Sequence, residues 1–220
     1  EIVFGDWSSD VCSSDLLVVP FLAAALSAVL YAEIVGSYSF SAIAYYEIIP
    51  LVLANLIYNM WEEIGWRTYA LSHLQTKYRP VAATFILAIL EIIWHLPHLL
   101  VKNSDMIHNF GNVGYFVLFT FLFVYMSTWL FNRSQGKWFL ASIFHAAFNG
   151  ANMLWFSFQG LTGNQIMPFY IPVMGIMSLL FLGGLGLRSN GITIQQIIEE
   201  TQAQIIIKQQ KKAQKKKSRN

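Results

Sequence analysis

Apolar residues in this chain come in runs of about 20, broken by short polar stops, which is the spacing of helices that cross a hydrocarbon layer. Six windows fit: roughly Leu17 to Val35, Ile43 to Met60, Val81 to Val101, Val113 to Phe131, Trp138 to Phe158 and Met167 to Leu187. Gly36-Ser37, Arg79-Pro80, Gly111-Asn112, Ser134-Gln135-Gly136 and the stretch from Gly160 to Asn164 punctuate them. No run shows the period-two alternation of a strand. The pattern predicts an all-α, polytopic transmembrane helical bundle of about six spans in one domain, residues 17–190, with a separate tail at 191–220.

Composition supports this solvent assignment. Of 220 residues, 55% are hydrophobic and 12% charged, where a soluble domain carries about 25% charged. The net charge of +2 hides a lopsided distribution, because eight of the fourteen basic residues fall between Arg188 and Arg219. The opening residues 1–16 (EIVFGDWSSDVCSSDL) are Ser/Asp-rich and unlike the rest of the chain. They resemble translated sequencing-adapter read-through and are set aside as non-native, which leaves open what natively precedes Leu17. Cys12, the only cysteine, lies there, so the remainder has no thiol for disulfides, nucleophilic catalysis or thiolate metal binding.

Lys and Arg concentrate in cytoplasmic loops of membrane proteins. Six spans with both ends inside place Arg67, Lys77, Arg79, Arg133, Lys137 and the eight tail residues on the cytoplasmic side, thirteen against Lys102 alone outside. The chain is expected in the cell (plasma) membrane with its C-terminus cytoplasmic. From Thr193 the tail reads as an amphipathic helix with Ile194, Ile197, Ile198, Thr201 and Ile205 on one stripe, followed by KQQKKAQKKKSRN. A solvated basic tail and a helix lying on anionic lipid both fit this pattern. The lipid bilayer is the expected surroundings, and nucleic acid is not an expected partner.

Ionisable residues inside apolar helices cost about 2.5–3.5 kcal/mol each on insertion scales, which makes them functional candidates. The second span ends in Trp61-Glu62-Glu63-Ile64-Gly65-Trp66-Arg67. Glu63 and Arg67 stand at i and i+4 and can pair, while Glu62 points about 100° away round the helix. One glutamate is thereby held and the other left free. A carboxylate shielded from bulk water is the better proton acceptor for activating a water molecule. An interfacial charge cluster is the alternative for this group.

The third span contains Glu91-Ile92-Ile93-Trp94-His95-Leu96-Pro97-His98. Pro97 removes a backbone donor and is expected to open the helix beside His95. Glu91, four residues earlier on the same face, is expected to orient the imidazole or support its charged form. The fifth span contains His145-Ala146-Ala147-Phe148-Asn149, with imidazole and carboxamide one turn apart and small residues between. Such a pair can donate hydrogen bonds to a developing oxyanion, or His145 can ligate a metal. Glu33, Glu47, His73 and His108 lie at interfaces or in loops and are not site candidates.

The ordered set Glu-Glu-x-x-x-Arg, a His near a span's end, and His-x-x-x-Asn, each on its own span, resembles the CPBP family, the CAAX-protease and bacteriocin-processing intramembrane peptidases also called ABI. The resemblance runs over residues 43–152, with EEIGWR and HAAFN its most specific parts. It implies that Glu62 and His95 activate water, that His145 and Asn149 support the oxyanion, and that Glu63 and Arg67 are the supporting pair. The family usually has Phe four residues before the second-motif histidine, where this chain has Glu91. The WHLP run favours His95, with Trp94 and His98 as the other placement.

The resemblance implies an intramembrane endopeptidase acting near the cytoplasmic leaflet on a membrane-associated peptide or protein: a C-terminal CAAX-type tail, a secreted peptide precursor or a bacteriocin-related peptide. This chemistry requires no cofactor. A zinc-dependent version would use Glu62, His95 and His145 as ligands with an open water position. A non-enzymatic scaffold, immunity or transport protein that keeps the polar cluster for packing or ion passage is the reading from a different class. One geometric difficulty stands. Glu62 is near the cytoplasmic end of its span, whereas His95, about 14 residues into the next, would lie about 21 Å deep at 1.5 Å per residue. Tilt, a later start to the third span, or continuation of the second helix through Tyr69 and Leu74 would each reconcile them.

Overall fold

The computed structural model describes residues 13–36, 45–101, 104–156, 159–185 and 193–217. The early segment with Cys12, together with Lys102, Arg188 and Arg219, lies outside them. The described residues are helical with no strand: α1 (Ser13–Val35), α2 (Tyr45–Glu63), a π-helical segment (Ile64–Leu71), α3 (Ser72–Leu74), α4 (Pro80–Leu100), α5 (Asp105–Phe110), α6 (Val113–Arg133), α7 (Trp138–Trp155), α8 (Gly163–Leu185) and α9 (Ile194–Lys217). The first helix starts at Ser13, inside the stretch set aside from the sequence.

The three helices α1, α4 and α6 are long and apolar enough to cross a membrane by length and composition. Among the described residues these are the three helices that qualify; the other three expected spans are helical, at α2, α7 and α8, but do not meet that criterion, so six spans is not established. Pro20, Pro50, Pro97, Pro168 and Pro172 lie inside helices without ending them. The break expected at Pro97 does not occur: α4 runs on to Leu100.

Helix α7 packs against α1, α2 and α6. Its Ala146, Ala147, Gly150 and Ala151 are buried, and small residues at these contacts let neighbouring backbones approach where hydrophobic burial cannot drive association. At one end of the bundle the Gln75 and Asn132 side chains exchange two hydrogen bonds of 3.0 and 2.8 Å. That pair holds the turn carrying Lys77 and Arg79 beside the turn carrying Arg133 and Lys137, so these basic residues share one end. At the other end, Gly111 (φ 77°) sits against Asn164, and a Cβ on Gly163 would overlap the main chain of Phe110 and Gly111. Helix α9 is exposed along most of its length, with Ile197 packed on the bundle.

The depth difficulty resolves by continuation. The second helix does not stop at Glu63 but runs through the π segment to Leu74, and α4 returns from Pro80. Glu62 is twelve residues before Leu74 and His95 fifteen after Pro80, so at helical rise they lie roughly 18 and 22 Å from the turn, close to one level. Arg67, expected in a cytoplasmic loop, is instead fully buried inside the bundle, because the helix carries it there. The candidate residues therefore lie inside the bundle, away from the turn between Leu74 and Pro80.

Candidate active site

Four elements supply the candidate residues. Helix α2 carries Glu62 and Glu63, the π segment Arg67, α4 Glu91 and His95, and α7 His145 and Asn149. Wide-turned π segments are rare and often mark functional positions. This one packs against α4, α6 and α7 at once, which is how one guanidinium meets partners from several helices.

Arg67 is the hub. Its Nε lies 3.3 Å from Glu63 Oε2 and donates to Ser127 Oγ at 3.1 Å. Its Nη1 donates to Glu91 Oε1. The guanidinium stands 5.5 Å from the centre of the Phe123 ring, and that same ring lies 4.6 Å from the His145 ring. A buried cation needs such a set, because the low dielectric that strengthens each pairing also raises the cost of an unpaired charge.

Glu63 is fully buried and has two partners: Arg67, and Nδ1 of His145 at 2.9 Å from Oε1. A carboxylate accepts here, so Nδ1 carries the hydrogen. His145 can then donate from Nε2 only when both ring nitrogens carry hydrogen. Glu62 differs from its neighbour. It is half-buried and makes no hydrogen bond or ion pair among the described residues, yet it stands within electrostatic reach of His145, Arg67 and His98.

His95 is half-buried between aromatic rings, 4.5 Å from Trp94 and 5.3 Å from Phe116. Its Nδ1 donates to the main-chain oxygen of Glu91 at 2.8 Å. A carbonyl can only accept, so the neutral ring keeps its lone pair on Nε2. The orienting group is thus the Glu91 backbone. The Glu91 carboxylate, expected to serve His95, turns to Arg67 instead, because a buried guanidinium is the stronger partner. His95 also lies within electrostatic reach of His145 and His98, while the His98 side chain itself is exposed.

The structure thus gathers Glu62, Glu63, Arg67, His95, His145 and Asn149 around one bundle-interior locus. Sequence reasoning missed Ser127, Phe123 and Asn59. The first two lie about 60 residues from Arg67 along the chain, with no local signal to tie them to it. Asn59 had a signal: Asn55, Asn59, Glu63 and Arg67 recur every four residues, a polar stripe along one helix face.

A family model described as type II CAAX prenyl endopeptidase, Rce1-like, matches residues 15–151. The chain belongs to this family. The match encloses every candidate residue from Asn59 to Asn149. A relative, CAAX prenyl protease 2 of Methanococcus maripaludis, is 30% identical over 118 residues, which covers 52% of this chain and 42% of that protein. The chain thus spans less than half the length of this relative. Family membership and the three long apolar helices make this Rce1-like chain a membrane protein.

A metal needs three or four ligands converging at about 2 Å. Among the described residues no three His, Cys, Asp or Glu side chains of the Rce1-like chain come together in such a set. Glu63 is already engaged by Arg67 and His145.

Proposed function

We propose that this chain is an intramembrane endopeptidase that hydrolyses a peptide bond in a membrane-tethered substrate with a water molecule activated by protein side chains. The reading is carried by one observation: of the two adjacent glutamates, Glu63 is bound into a buried network with Arg67 and His145, while Glu62 lies within electrostatic reach of that same His145 and of His98 without a hydrogen-bond partner among the described residues. A general base needs such freedom to take a proton from water.

Glu62 accepts a proton from water, and Nε2 of His95 supports that water through its lone pair. The hydroxide oxygen attacks the scissile carbonyl carbon, and the carbonyl π electrons move onto oxygen. His145, as the imidazolium held by Glu63, and Asn149 donate to that oxyanion. Collapse breaks the C–N bond, and the proton on Glu62 passes to the leaving amine. Glu63 and Arg67 keep this arrangement in register without touching substrate. No metal ion or cofactor enters a step.

The substrate class we propose is a prenylated C-terminal tail of the CAAX type. The family description and the name of the archaeal relative support it. We place the basic end of the bundle and the C-terminus in the cytoplasm, with the chain in the plasma membrane, so that such a tail enters from the side where Lys77, Arg79, Arg133 and Lys137 lie.

The purified protein in detergent is expected to cleave a farnesylated peptide ending in Cys-aliphatic-aliphatic-X, releasing the last three residues, with the same rate before and after treatment with a zinc chelator. Mass spectrometry of the products checks both points. Loss of cleavage on chelation with return on zinc addition would replace the metal-free mechanism, and no cleavage of any tethered peptide would favour a non-enzymatic membrane role.

A further inference from the structure

Asn59 has no part in the hydrolytic steps, yet it is one of the most deeply buried polar residues, 1% exposed. It sits one turn before Glu63 on α2, which packs against α7. Its Oδ1 accepts a hydrogen bond from Nδ2 of Asn149 at 3.4 Å. One turn along, Glu63 accepts from His145. The two helices are therefore joined by two rungs at the same four-residue step, and both α7 partners are the groups assigned to the oxyanion.

A carboxamide is nearly symmetric in shape but opposite in polarity at its two ends, so an unconstrained Asn can present either oxygen or nitrogen to a ligand. Only the nitrogen end helps an oxyanion. The rung engages one hydrogen of Asn149 Nδ2 and leaves the second for the substrate. The arrangement is retained at a cost, since Asn59 Nδ2 is buried with no hydrogen-bond partner, and a buried orphan donor destabilises its host. An apolar side chain would avoid that cost at a position facing a helix inside a membrane.

From this, and resting on the peptidase reading, we infer that Asn59 is a positioning residue: its side chain holds the Asn149 carboxamide in place across the α2–α7 contact, one turn from the Glu63–His145 rung. Asn59 touches neither water nor substrate, as its Nδ2 is sealed from solvent. Losing that partner leaves the Asn149 carboxamide unheld, free to swing away or to put its oxygen against the developing negative charge.

The test is a double-mutant cycle on the full chain, read as kcat and KM for the farnesylated peptide. Asn59→Leu is expected to lower kcat about 10- to 100-fold with KM little changed, part of the loss expected for removing the oxyanion donor itself. Asn149→Ala lowers kcat further, and the double variant is no slower than Asn149→Ala alone, because the acceptor then has nothing to position. Asn59→Asp, which keeps an acceptor oxygen at the same reach and removes the orphan donor, retains more activity than the leucine variant. If the leucine variant does not fold, Asn59→Ala takes its place in the cycle. Multiplying losses in the double variant, or equal losses in the aspartate and leucine variants, would overturn the positioning role. An Asn149→Ala protein with full activity would instead remove the oxyanion assignment, and with it the reading on which this one stands.

Discussion

Glu62→Gln is expected to lower kcat by about 10²–10⁴-fold, the range for loss of a general base, with KM for the farnesylated peptide hardly changed. Glutamine keeps the length and shape of the side chain and removes only its ability to take a proton. Because Glu62 makes no hydrogen bond or ion pair among the described residues, the substitution breaks nothing in the resting protein, and thermal unfolding in detergent should match wild type. The neighbouring Glu63→Gln makes the contrast. It removes the anion that faces both Arg67 and His145, so that variant should lose stability as well as rate. A Glu62→Gln protein within a few-fold of wild-type activity would show that another group activates water.

Arg67→Met is expected to have the largest effect on stability, on the order of 3–5 kcal/mol, as for removing one member of a buried ion pair. Methionine is apolar and fills part of the same space, but it leaves the Glu63 and Glu91 carboxylates buried without their shared cation. Arg67→Lys should recover only part of the loss. A single ammonium cannot reproduce the forked contacts to Glu63, Ser127 and Glu91, since planar multi-point recognition belongs to guanidinium. Glu91→Gln alone should cost less, roughly 1–3 kcal/mol, and combined with Arg67→Met it should restore stability relative to Arg67→Met because one stranded carboxylate is gone. In the Glu91→Gln protein the His95 tautomer should be unaltered, as its Nδ1 hydrogen goes to the Glu91 main chain. Unfolding in detergent micelles measures all four proteins, and an Arg67→Met protein that melts with wild type would contradict the hub role.

Much of this arrangement is legible from spacing alone. Apolar runs of spanning length locate the long helices α1, α4 and α6, and four-residue spacing pairs Glu63 with Arg67 and sets His145 with Asn149 on one face. What spacing does not show is where the second helix ends. Gly65-Trp66-Arg67 looks like the polar close of an apolar span, which puts Arg67 with the loop residues. In the folded chain that stretch is a π-helical continuation packed against three other helices with Arg67 buried, and tertiary partners, not local propensity, decide it. The same holds for Glu91. Its four-residue relation to His95 is visible, but the guanidinium that captures its carboxylate is 24 residues away in sequence. Pro97 reads as a break in α4. The helix passes through it, as membrane helices tolerate proline when neighbours satisfy the freed carbonyl.

In the proposed mechanism water, and not Glu62 itself, attacks the peptide bond. A single-turnover cleavage of the farnesylated peptide in H₂¹⁸O, with excess enzyme, separates the two. Attack by water activated at Glu62 puts the ¹⁸O label into the newly formed carboxylate of the cleaved peptide in the first turnover and leaves the Glu62 carboxylate unlabelled. An unlabelled product with ¹⁸O found on Glu62 would mean that the glutamate is the nucleophile through an anhydride, and would contradict the role of Glu62 as a general base.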